Sequence, residues 1–367
     1  MKIFVEKSKF ANELKLFQGI FEKKTLMDIL QNIMLTATEN NLLEMVATDL
    51  EIGLSSSIQV NVKEPGTFTV NGKDFYDLMS KMPEGIVEIS ENNDLQININ
   101  NETKTSKYKL LGLQSSDYPQ LPASDFSSPI KISMEKLNSM IQKNYYIISP
   151  EMKFNLGGAL MNINDDILEM AATDGHRLSY THYKNESPVS ESIGFIISRK
   201  TLLELIKIGD KGELDFSFDK NNLFFKYQNR VLSSRIIDQK FPNYKAVIPE
   251  KTEFEAIITV EALLNTLRRV LIFKTRNNGV SFKFSDQKLF LERTTPEKGE
   301  AHEELQIDYN GKPFEVAFNG NFIIDFLTHI DSEEIQIGIN DNDSSFVFKP
   351  RKGNNINFIY VVMPLNI

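Results

Sequence analysis

The sequence predicts an α+β protein built from three tandem copies of one domain, each with two helices packed on antiparallel sheet. Three prolines set the period, because Pro119, Pro242 and Pro364 are 123 and 122 residues apart in a chain of 367 residues. Each of them follows a large hydrophobic residue, in a Tyr-Pro, a Phe-Pro and a Met-Pro pair. We expect the three copies to span residues 1–127, 128–252 and 253–367.

Three segments of alternating hydrophobicity repeat at the same interval and indicate β-hairpins. They are VEISENNDLQININ, LDFSFDKNNLFFKY and IQIGINDNDSSFVF, which start at Val87, Leu214 and Ile335. Apolar and polar residues alternate on both sides of an Asn/Asp-rich turn, as a half-buried hairpin requires. Each copy is therefore expected to contain antiparallel sheet.

Two helices are expected in every copy, one near its start and one just before its hairpin. The first set is FANELKLFQGIF, SMEKLNSMIQK and TVEALLNTLRRVLIF, in which Ser133 and Thr259 occupy N-cap positions. The second set is DFYDLMSKM, SRKTLLELIKIG and NFIIDFLTHI, with apolar residues at three- and four-residue steps. Each copy thus reads as strand, helix, strands, helix and strands.

Composition excludes several classes of function. The chain has no cysteine, which excludes disulfides, thiolate metal sites and thiol nucleophiles. Its four histidines are scattered, and it has neither an HExxH sequence nor a GxxxxGK[ST] loop, so we expect no metal and no cofactor. No apolar run is long enough for a membrane span, and the first residues lack the apolar stretch of a signal peptide. We therefore expect a cytoplasmic protein with no membrane partner.

The segment ATDGHRLS, from Ala172 to Ser179, combines a carboxylate, an imidazole, a guanidinium and a hydroxyl. A hydrolase would need Asp174, His176 and Ser179 in one hydrogen-bonded relay, together with an oxyanion hole that no other motif supplies. The segment begins where a predicted strand ends, and Gly175 favours a turn. A catalytic cluster, a structural turn and a binding surface are the three alternatives, and catalysis is the weakest.

Four motifs follow one another at regular spacing along the whole chain: LEMVATDLEIGL, MAATDGHRLS, FPNYKAVIP and the terminal YVVMPL. In this order they resemble the bacterial DNA polymerase III β subunit, the family of sliding clamps. The resemblance implies a non-catalytic processivity subunit, in which two chains form a head-to-tail ring around duplex DNA and tether the replicative polymerase. It also implies that the clamp loader and repair proteins bind through short linear motifs.

The physical properties of the sequence agree with such a ring. Three similar domains used twice make six, so each has to turn the chain by only about 60°, and a contact between copy 1 and copy 3 of a second chain closes after two chains. The net charge of −9 argues against phosphate binding over the whole surface but allows basic helices around a central hole. DNA would then be held by topology, without readout of its sequence.

The residues expected to face DNA lie on or beside the helices. They are Lys23, Lys24, Lys73, Lys136, Lys143, Arg199, Lys200, Arg268 and Arg269. The resemblance supports Lys23 as a contact to duplex DNA and adds Lys153 and Phe154, in a loop that touches the template. In that loop, Pro150 and Asn155 stand where relatives carry glutamine and tyrosine, which weakens the expectation.

The resemblance further implies an apolar groove between copies 2 and 3 that binds linear peptides. The corresponding residues are Leu156, Thr173, Gly175, His176, Arg177, Leu178, Pro242, Val247, Phe322, Ser345, Val361, Val362, Met363 and Pro364. The apolar ones would accept leucine or phenylalanine anchors, and Arg177 would hold a polar part of the peptide. Ala246 replaces an arginine of relatives and the tail ends Leu365-Asn366-Ile367, so we expect a different preferred peptide.

By the same resemblance, Ile272 and Phe273 of copy 3 meet Tyr108 and Leu110 on the edge of copy 1 in the second chain. Apolar packing there would be flanked by exposed ion pairs, each of which contributes little. Two alternatives stay open at this point. Ile272 and Phe273 are buried within their own domain, or the chain is a peptide-binding scaffold that never encircles DNA.

Overall fold

The fold is described from a computed structural model of the chain. It describes residues 1–21, 27–92, 94–148, 156–273, 277–295, 298–340, 344–352 and 356–365. Within these segments, no helix is both long enough and apolar enough to cross a membrane.

Copy 1 contains nine strands and two helices in the described residues. They are β1 (Lys2–Glu6), α1 (Lys7–Lys15), β2 (Asn32–Ala37), β3 (Leu42–Thr48), β4 (Ile52–Gln59), β5 (Asn61–Glu64), β6 (Gly66–Asn71), α2 (Gly72–Lys81), β7 (Ile86–Glu91), β8 (Gln96–Asn101) and β9 (Lys107–Leu111).

Copy 2 repeats this order with one strand fewer between its helices. Its elements are β10 (Ile130–Ser133), α3 (Met134–Asn144), β11 (Gly158–Asn164), β12 (Ile167–Thr173), β13 (Arg177–Lys184), β14 (Ile193–Ser198), α4 (Arg199–Ile208), β15 (Glu213–Phe218), β16 (Asn222–Tyr227) and β17 (Arg230–Arg235).

Copy 3 again has the full order. Its elements are β18 (Phe254–Thr259), α5 (Val260–Val270), β19 (Gly279–Ser285), β20 (Lys288–Thr295), β21 (Gly299–Gln306), β22 (Asp308–Tyr309), β23 (Phe314–Asn319), α6 (Gly320–Thr328), β24 (Glu334–Ile339), β25 (Phe346–Pro350) and β26 (Asn357–Val362).

The predicted hairpins and helices are confirmed, and two details differ. The hairpins are β7–β8, β15–β16 and β24–β25, all antiparallel. Thr259 precedes α5 as predicted, but its hydroxyl makes no capping hydrogen bond, whereas Asn71 and Asn319 cap α2 and α6 with their side chains. Pro364 follows its strand by two residues, much sooner than Pro119 and Pro242 follow theirs, so it is not their structural equivalent.

By its internal contacts the chain divides into two compact units, which cut across the three copies. Unit 1 comprises residues 1–135 and 200–236, and unit 2 comprises residues 136–199 and 237–367. The boundaries near 127 and 252 rest on the sequence repeat rather than on these units, and they stay predictions.

Unit 1 contains two antiparallel sheets. One has the order β5-β1-β7-β8-β9, and the other has the order β10-β15-β16-β17-β4-β3-β2-β6. In the larger sheet, β17 of copy 2 pairs with β4 of copy 1, and Leu232 lies opposite Leu54. Helices α1 and α2 pack together and bury Phe10, Phe75 and Met79.

Unit 2 is built in the same way. Its sheets have the orders β14-β11-β12-β13-β26-β25-β24-β18-β22 and β21-β20-β19-β23. The larger sheet joins copy 2 to copy 3 where β13 pairs with β26, which places Leu178 opposite Val361. Both side chains are buried on the face of this sheet that also carries Ala171 and Tyr180. This face is where the candidate site lies.

Candidate functional site

The ATDGHRLS segment forms the tight turn between β12 and β13. The hydroxyl of Thr173 donates to the carbonyl of Arg177 at 2.7 Å and accepts from the N–H of Gly175 at 3.1 Å. Gly175 has a φ of +85°, a left-handed conformation that glycine adopts without steric cost. The carbonyl of His176 accepts the N–H of Met363 at 2.9 Å, so the turn is bonded to the C-terminal segment.

The threonine hydrogen bond of this segment recurs in the other two copies. Thr48 and Thr295, at the ends of β3 and β20, also donate their hydroxyls to the carbonyl four residues later, each at 2.8 Å. In copy 1, Asp49 accepts two backbone N–H groups just as Asp174 does in copy 2. The Thr-Asp pair therefore forms the turn through the same hydrogen bonds in both copies that contain it.

The three residues of a hydrolase relay do not meet. Asp174 accepts the N–H groups of His176 and Arg177 at 3.0 Å and the Arg177 Nε at 2.9 Å. The hydroxyl of Ser179 is buried and donates to the carbonyl of Lys143 at 2.6 Å. Among the described residues, no group of three or more His, Asp or Glu side chains could hold a metal ion. This geometry favours a structural turn within a binding surface over catalysis.

Arg177 is buried and bonded within the protein. Its guanidinium donates to Asp325 at 2.7 Å and to the hydroxyl of Tyr360 at 3.2 Å, and it lies 4.2 Å from the ring centre of Phe322. Burial alone would lower the pKa of Arg177, but Tyr360, Asp325 and Asp174 outweigh it, so the pKa is raised and the charge is permanent. Its side chain is 8% exposed and braces the turn, and its contact with a ligand stays a prediction.

Beside this turn, an apolar groove of about 240 Å³ opens on the surface of unit 2. It brings together ten of the fourteen predicted residues, namely Leu156, Thr173, Gly175, His176, Arg177, Leu178, Pro242, Val247, Val361 and Met363. Leu178 and Val361 form a buried floor, whereas Val247 and Met363 are about 40% exposed at its rim. An apolar floor with exposed apolar rims suits a ligand that carries hydrophobic side chains.

Four predicted residues lie outside the groove lining. Phe322 stacks on the ring of His176, with 6.5 Å between ring centres, and covers Arg177. Ser345 donates its hydroxyl to the carbonyl of Val247 at 2.7 Å and so is bonded to a rim residue. Val362 is buried, and Pro364 is half-buried.

Two lining residues, Asn243 and Tyr244, were missed by the sequence reasoning. They lie between Pro242 and Val247, both of which were predicted, and a 3₁₀ turn over Tyr244–Val247 brings them to the groove. The sequence contained the signal for these two residues, because a segment whose two ends, Pro242 and Val247, line a groove has to pass along that groove.

Of the residues expected to face DNA, Lys73 and Arg268 are exposed, and Lys23, Lys24, Lys153 and Phe154 lie outside the described residues. The other five make contacts within the protein. Lys143 is buried and bonded to Ser139 and Asp331, and Lys200 pairs with Asp49. Arg269 makes a two-pronged bond to Glu303, with both distances at 2.7 Å. Lys136 lies over the ring of Tyr183, and Arg199 lies near the ring of Tyr145.

Of the four residues expected at a dimer contact, two lie on an edge strand and two follow helix α5. Tyr108 and Leu110 are on β9, an edge strand of unit 1, and Tyr108 is 44% exposed. Ile272 follows α5 in unit 2 and is 71% exposed, which excludes burial in its own domain. Phe273 lies beside Gly299, the first residue of the edge strand β21.

The triplicated fold and its groove define the class of three-domain clamps, and the comparisons with known proteins agree. The N-terminal, central and C-terminal domains of the DNA polymerase III β subunit match residues 1–122, 131–243 and 245–366. Beta sliding clamps of Vibrio cholerae and Pseudomonas aeruginosa are 27% and 26% identical, with all of this chain and all of each relative covered.

Solved structures give the same result. Sliding clamps of Pseudomonas aeruginosa and Bartonella birtlesii, each bound to griselimycin, superpose with TM-scores of 0.94 and 0.93 at 25% and 26% identity, over 100% of both chains. The chain therefore belongs to the DNA polymerase III β subunit family, the bacterial sliding clamps, and it has their three-domain fold.

Proposed function

We propose that two copies of this chain form a ring around duplex DNA and tether the replicative polymerase, with no catalytic role and no cofactor. Short linear segments of the polymerase, the clamp loader and repair proteins bind in the unit 2 groove. We place the three domains at 1–127, 128–252 and 253–367 and the protein in the cytoplasm. The groove and the two sheet edges carry this proposal.

A comparison between copies is the observation that supports the groove most strongly. Leu30 of copy 1 is equivalent to Leu156 of copy 2. The alignment follows from equivalent strand pairs, since Met34 lies opposite Val46 in copy 1 and Leu160 lies opposite Ala171 in copy 2. Each leucine stands four residues before the first member of its pair. In copy 1 the site is filled by the chain itself. Tyr118 packs on Leu30, and the side chain of Leu121 occupies the space above Gly53.

The equivalent of Gly53 in copy 2 is Leu178, which is the floor of the open groove. In copy 1 an internal leucine covers this position, whereas in copy 2 Tyr244 packs against Leu178 and an apolar groove stays open beside it. An open apolar site where the fold elsewhere places leucine supports binding of a peptide with a leucine-like anchor.

Two existing strand pairs support ring closure and give its register. In unit 1, β17 places Ser234 opposite Ile52, and in unit 2, β26 places Val362 opposite Arg177. Ile52 and Arg177 both stand four residues after the turn threonine, a position that Gly299 holds in copy 3.

The paired residues can be followed from the first strand of each copy across its sheet to the last strand. By this alignment, Leu110 of β9 has the same position as Ser234 of β17 and Val362 of β26. The edge strand β9 is therefore expected to pair with β21 of a second copy, with Leu110 opposite Gly299. This register puts Tyr108 and Leu110 next to Phe273 of the second copy, which lies against Gly299. It also covers the open edges of β9 and β21.

The charges on the two edges are complementary. β9 carries Lys107 and Lys109, both exposed, and β21 carries Glu300 and Glu304, also exposed. The proposed register sets Lys109 opposite Glu300. Since such pairs are worth little at a rim, they favour the correct partner more than they strengthen the dimer, and apolar contacts supply most of the affinity.

Retention on circular DNA tests the ring directly. The protein is loaded by the clamp loader and ATP onto nicked circular duplex, and the DNA is then linearised at about 0.3 M salt, where phosphate contacts are weakened. A ring stays on the circle and leaves the linear DNA. A protein that binds DNA by affinity alone is retained equally on circular and on linear DNA. A peptide-binding scaffold is retained on neither.

Groove binding is tested separately with two probes. One is griselimycin, to which the Pseudomonas aeruginosa and Bartonella birtlesii clamps are bound in their structures. The other is a fluorescein-labelled set of overlapping 15-residue peptides that tile the replicative polymerase of the same organism. We expect griselimycin to displace the best peptide, and no saturable binding of either probe would refute the groove.

A further inference from the structure

One wall of the groove is a segment laid across the sheet, residues 241–248, which we call the groove strap. Pro242 and Val247 of the strap line the groove. Tyr244, between them, is buried against Ala171, Leu178 and the rest of that sheet face. The width of the groove therefore depends on how firmly the strap is attached to the sheet.

A buried carboxylate provides that attachment. Glu169, on β12, is 7% exposed and accepts hydrogen bonds from the hydroxyls of Tyr180 at 2.6 Å and Tyr244 at 3.2 Å. The ammonium of Lys245 donates to both of its carboxylate oxygens, at 3.0 and 3.1 Å. Two consecutive strap residues thus bond to one side chain of the sheet.

We propose that Glu169 is a positioning residue of the peptide-binding groove: its carboxylate fixes the strap through Tyr244 and Lys245 and so sets the width between the strap and Leu178. The inference rests on the proposed function of the groove and names a residue that does not itself line it. Glu169 acts on the ligand only through the strap.

The electrostatics support a permanent attachment at neutral pH. Burial alone would raise the pKa of Glu169, but the hydrogen bonds from Tyr180 and Lys245 outweigh burial and lower the pKa. The carboxylate therefore stays ionised, and a charged acceptor forms stronger hydrogen bonds than a neutral one. Removing it would leave the buried hydroxyl of Tyr244 without this acceptor.

Copy 1 shows that the repeat does not need this arrangement in order to fold. Glu44 holds the place of Glu169 in the β3 ladder, yet it is exposed. Tyr118, the aromatic residue that packs on this face of the sheet in copy 1, donates instead to the backbone carbonyls of Asn32 and Val46. A buried carboxylate under the strap thus occurs in the copy with the open groove, and a backbone attachment occurs in the copy whose site is filled.

The test is peptide affinity in Glu169→Gln, measured by fluorescence anisotropy with the best polymerase-derived peptide. Loss of a charge-assisted bond is worth about a factor of ten in an equilibrium constant, so we expect Kd to rise about tenfold. Glu44→Gln is the matched control, with the same chemical change at the equivalent position of copy 1, and its Kd should stay within twofold of the wild type. Tyr244→Phe and Lys245→Met, which remove single strap contacts, should fall in between.

Two further readouts separate positioning from general stability. Amide hydrogen exchange should increase in residues 241–248 of Glu169→Gln while exchange in β11 to β13 stays unchanged. Adding Tyr244→Phe to Glu169→Gln should weaken binding by less than the sum of the two separate effects, because both changes act on the same bond. A loss of affinity that is accompanied by faster exchange throughout unit 2 would show a purely structural role.

Each outcome decides one point. If the wild type binds the peptide and Glu169→Gln binds it within twofold, the positioning role is refuted while the groove stands. If the wild type binds neither peptide nor griselimycin, the groove itself fails, and the role of Glu169 fails with it. If Glu169→Gln does not fold, Tyr244→Phe decides, and an affinity equal to that of the wild type then refutes the inference.

Discussion

Ile272 provides the sharpest test of ring closure, because it is 71% exposed in the single chain and its replacement leaves the domain core intact. Ile272→Ala removes three carbon groups, worth about 0.8 kcal/mol each when they are buried. Only the 71% of the side chain that is exposed in the single chain can become buried in the dimer, so about 1.7 kcal/mol of binding free energy is lost at each contact. A closed ring of two chains contains this contact twice, so the dimer loses about 3.4 kcal/mol, or about 300-fold in its dissociation constant.

Sedimentation equilibrium over nanomolar to micromolar protein measures this change. Ile86→Ala is the control, since Ile86 is also an exposed isoleucine but lies at the start of β7, away from both proposed edges. The control should dimerise like the wild type, and the pair Ile272→Ala and Phe273→Ala should be monomeric at micromolar concentration. A dissociation constant for Ile272→Ala within threefold of the wild type would show that the chain does not close through β9 and β21.

Two other predictions concern the groove and unit 1. Met363→Ala with removal of Leu365 to Ile367 should weaken peptide binding about tenfold, measured by fluorescence anisotropy. The urea midpoint of unfolding should not change, because the Met363 side chain is partly exposed at the groove rim. Unchanged peptide affinity would contradict the groove assignment. Glu13→Gln should lower the free energy of unfolding by about 3 kcal/mol at pH 7, measured by urea titration, because Glu13 is buried and bonded to Arg230 at 2.7 Å twice and to Ser56. Burial would raise the pKa of Glu13, but the bonds from Arg230 and Ser56 outweigh it and lower the pKa. The wild type should therefore keep this advantage down to the ordinary pKa of 4.5 and lose it as the pH falls further, and a gap that widens in acid would refute the assignment.

Local structure was predictable because its causes are local. Alternating residues produced the hairpin at Val87, three- and four-residue steps produced helix α2, and Gly175 marked its turn. The groove lining was predicted largely through the resemblance, whose motifs carry the turn, the strap and the C-terminal strand.

What the sequence did not reveal depends on partners far away in the chain. Lys143 was expected to face DNA, and the sequence did not indicate its ion pair with Asp331, nearly 190 residues later. Arg177 was expected to hold a ligand, and nothing in its sequence neighbourhood indicated that its guanidinium also bonds to Asp325 and Tyr360. A single sequence shows the charge of such a residue but not the residue that neutralises it.

Strand pairing between copies was likewise invisible, since nothing in the hydrophobic pattern of β17 says that it bonds to β4 rather than to a strand of its own copy. The pattern fixes which face of a strand is buried, and the neighbour is chosen by the fold as a whole.

The pairing of β17 with β4 and of β26 with β13 has a consequence for how the gene can change. A deletion of copy 2 would remove β17 from β4 and β13 from β26, and it would leave the backbone amides and carbonyls of β4 and β26 unpaired. One boundary between the two compact units, at residues 199 and 200, lies about half a repeat away from those of the sequence repeats. A chain that lost copy 2 would therefore have to pair β26 directly with β4, in the register that β17 uses, in order to cover both edges.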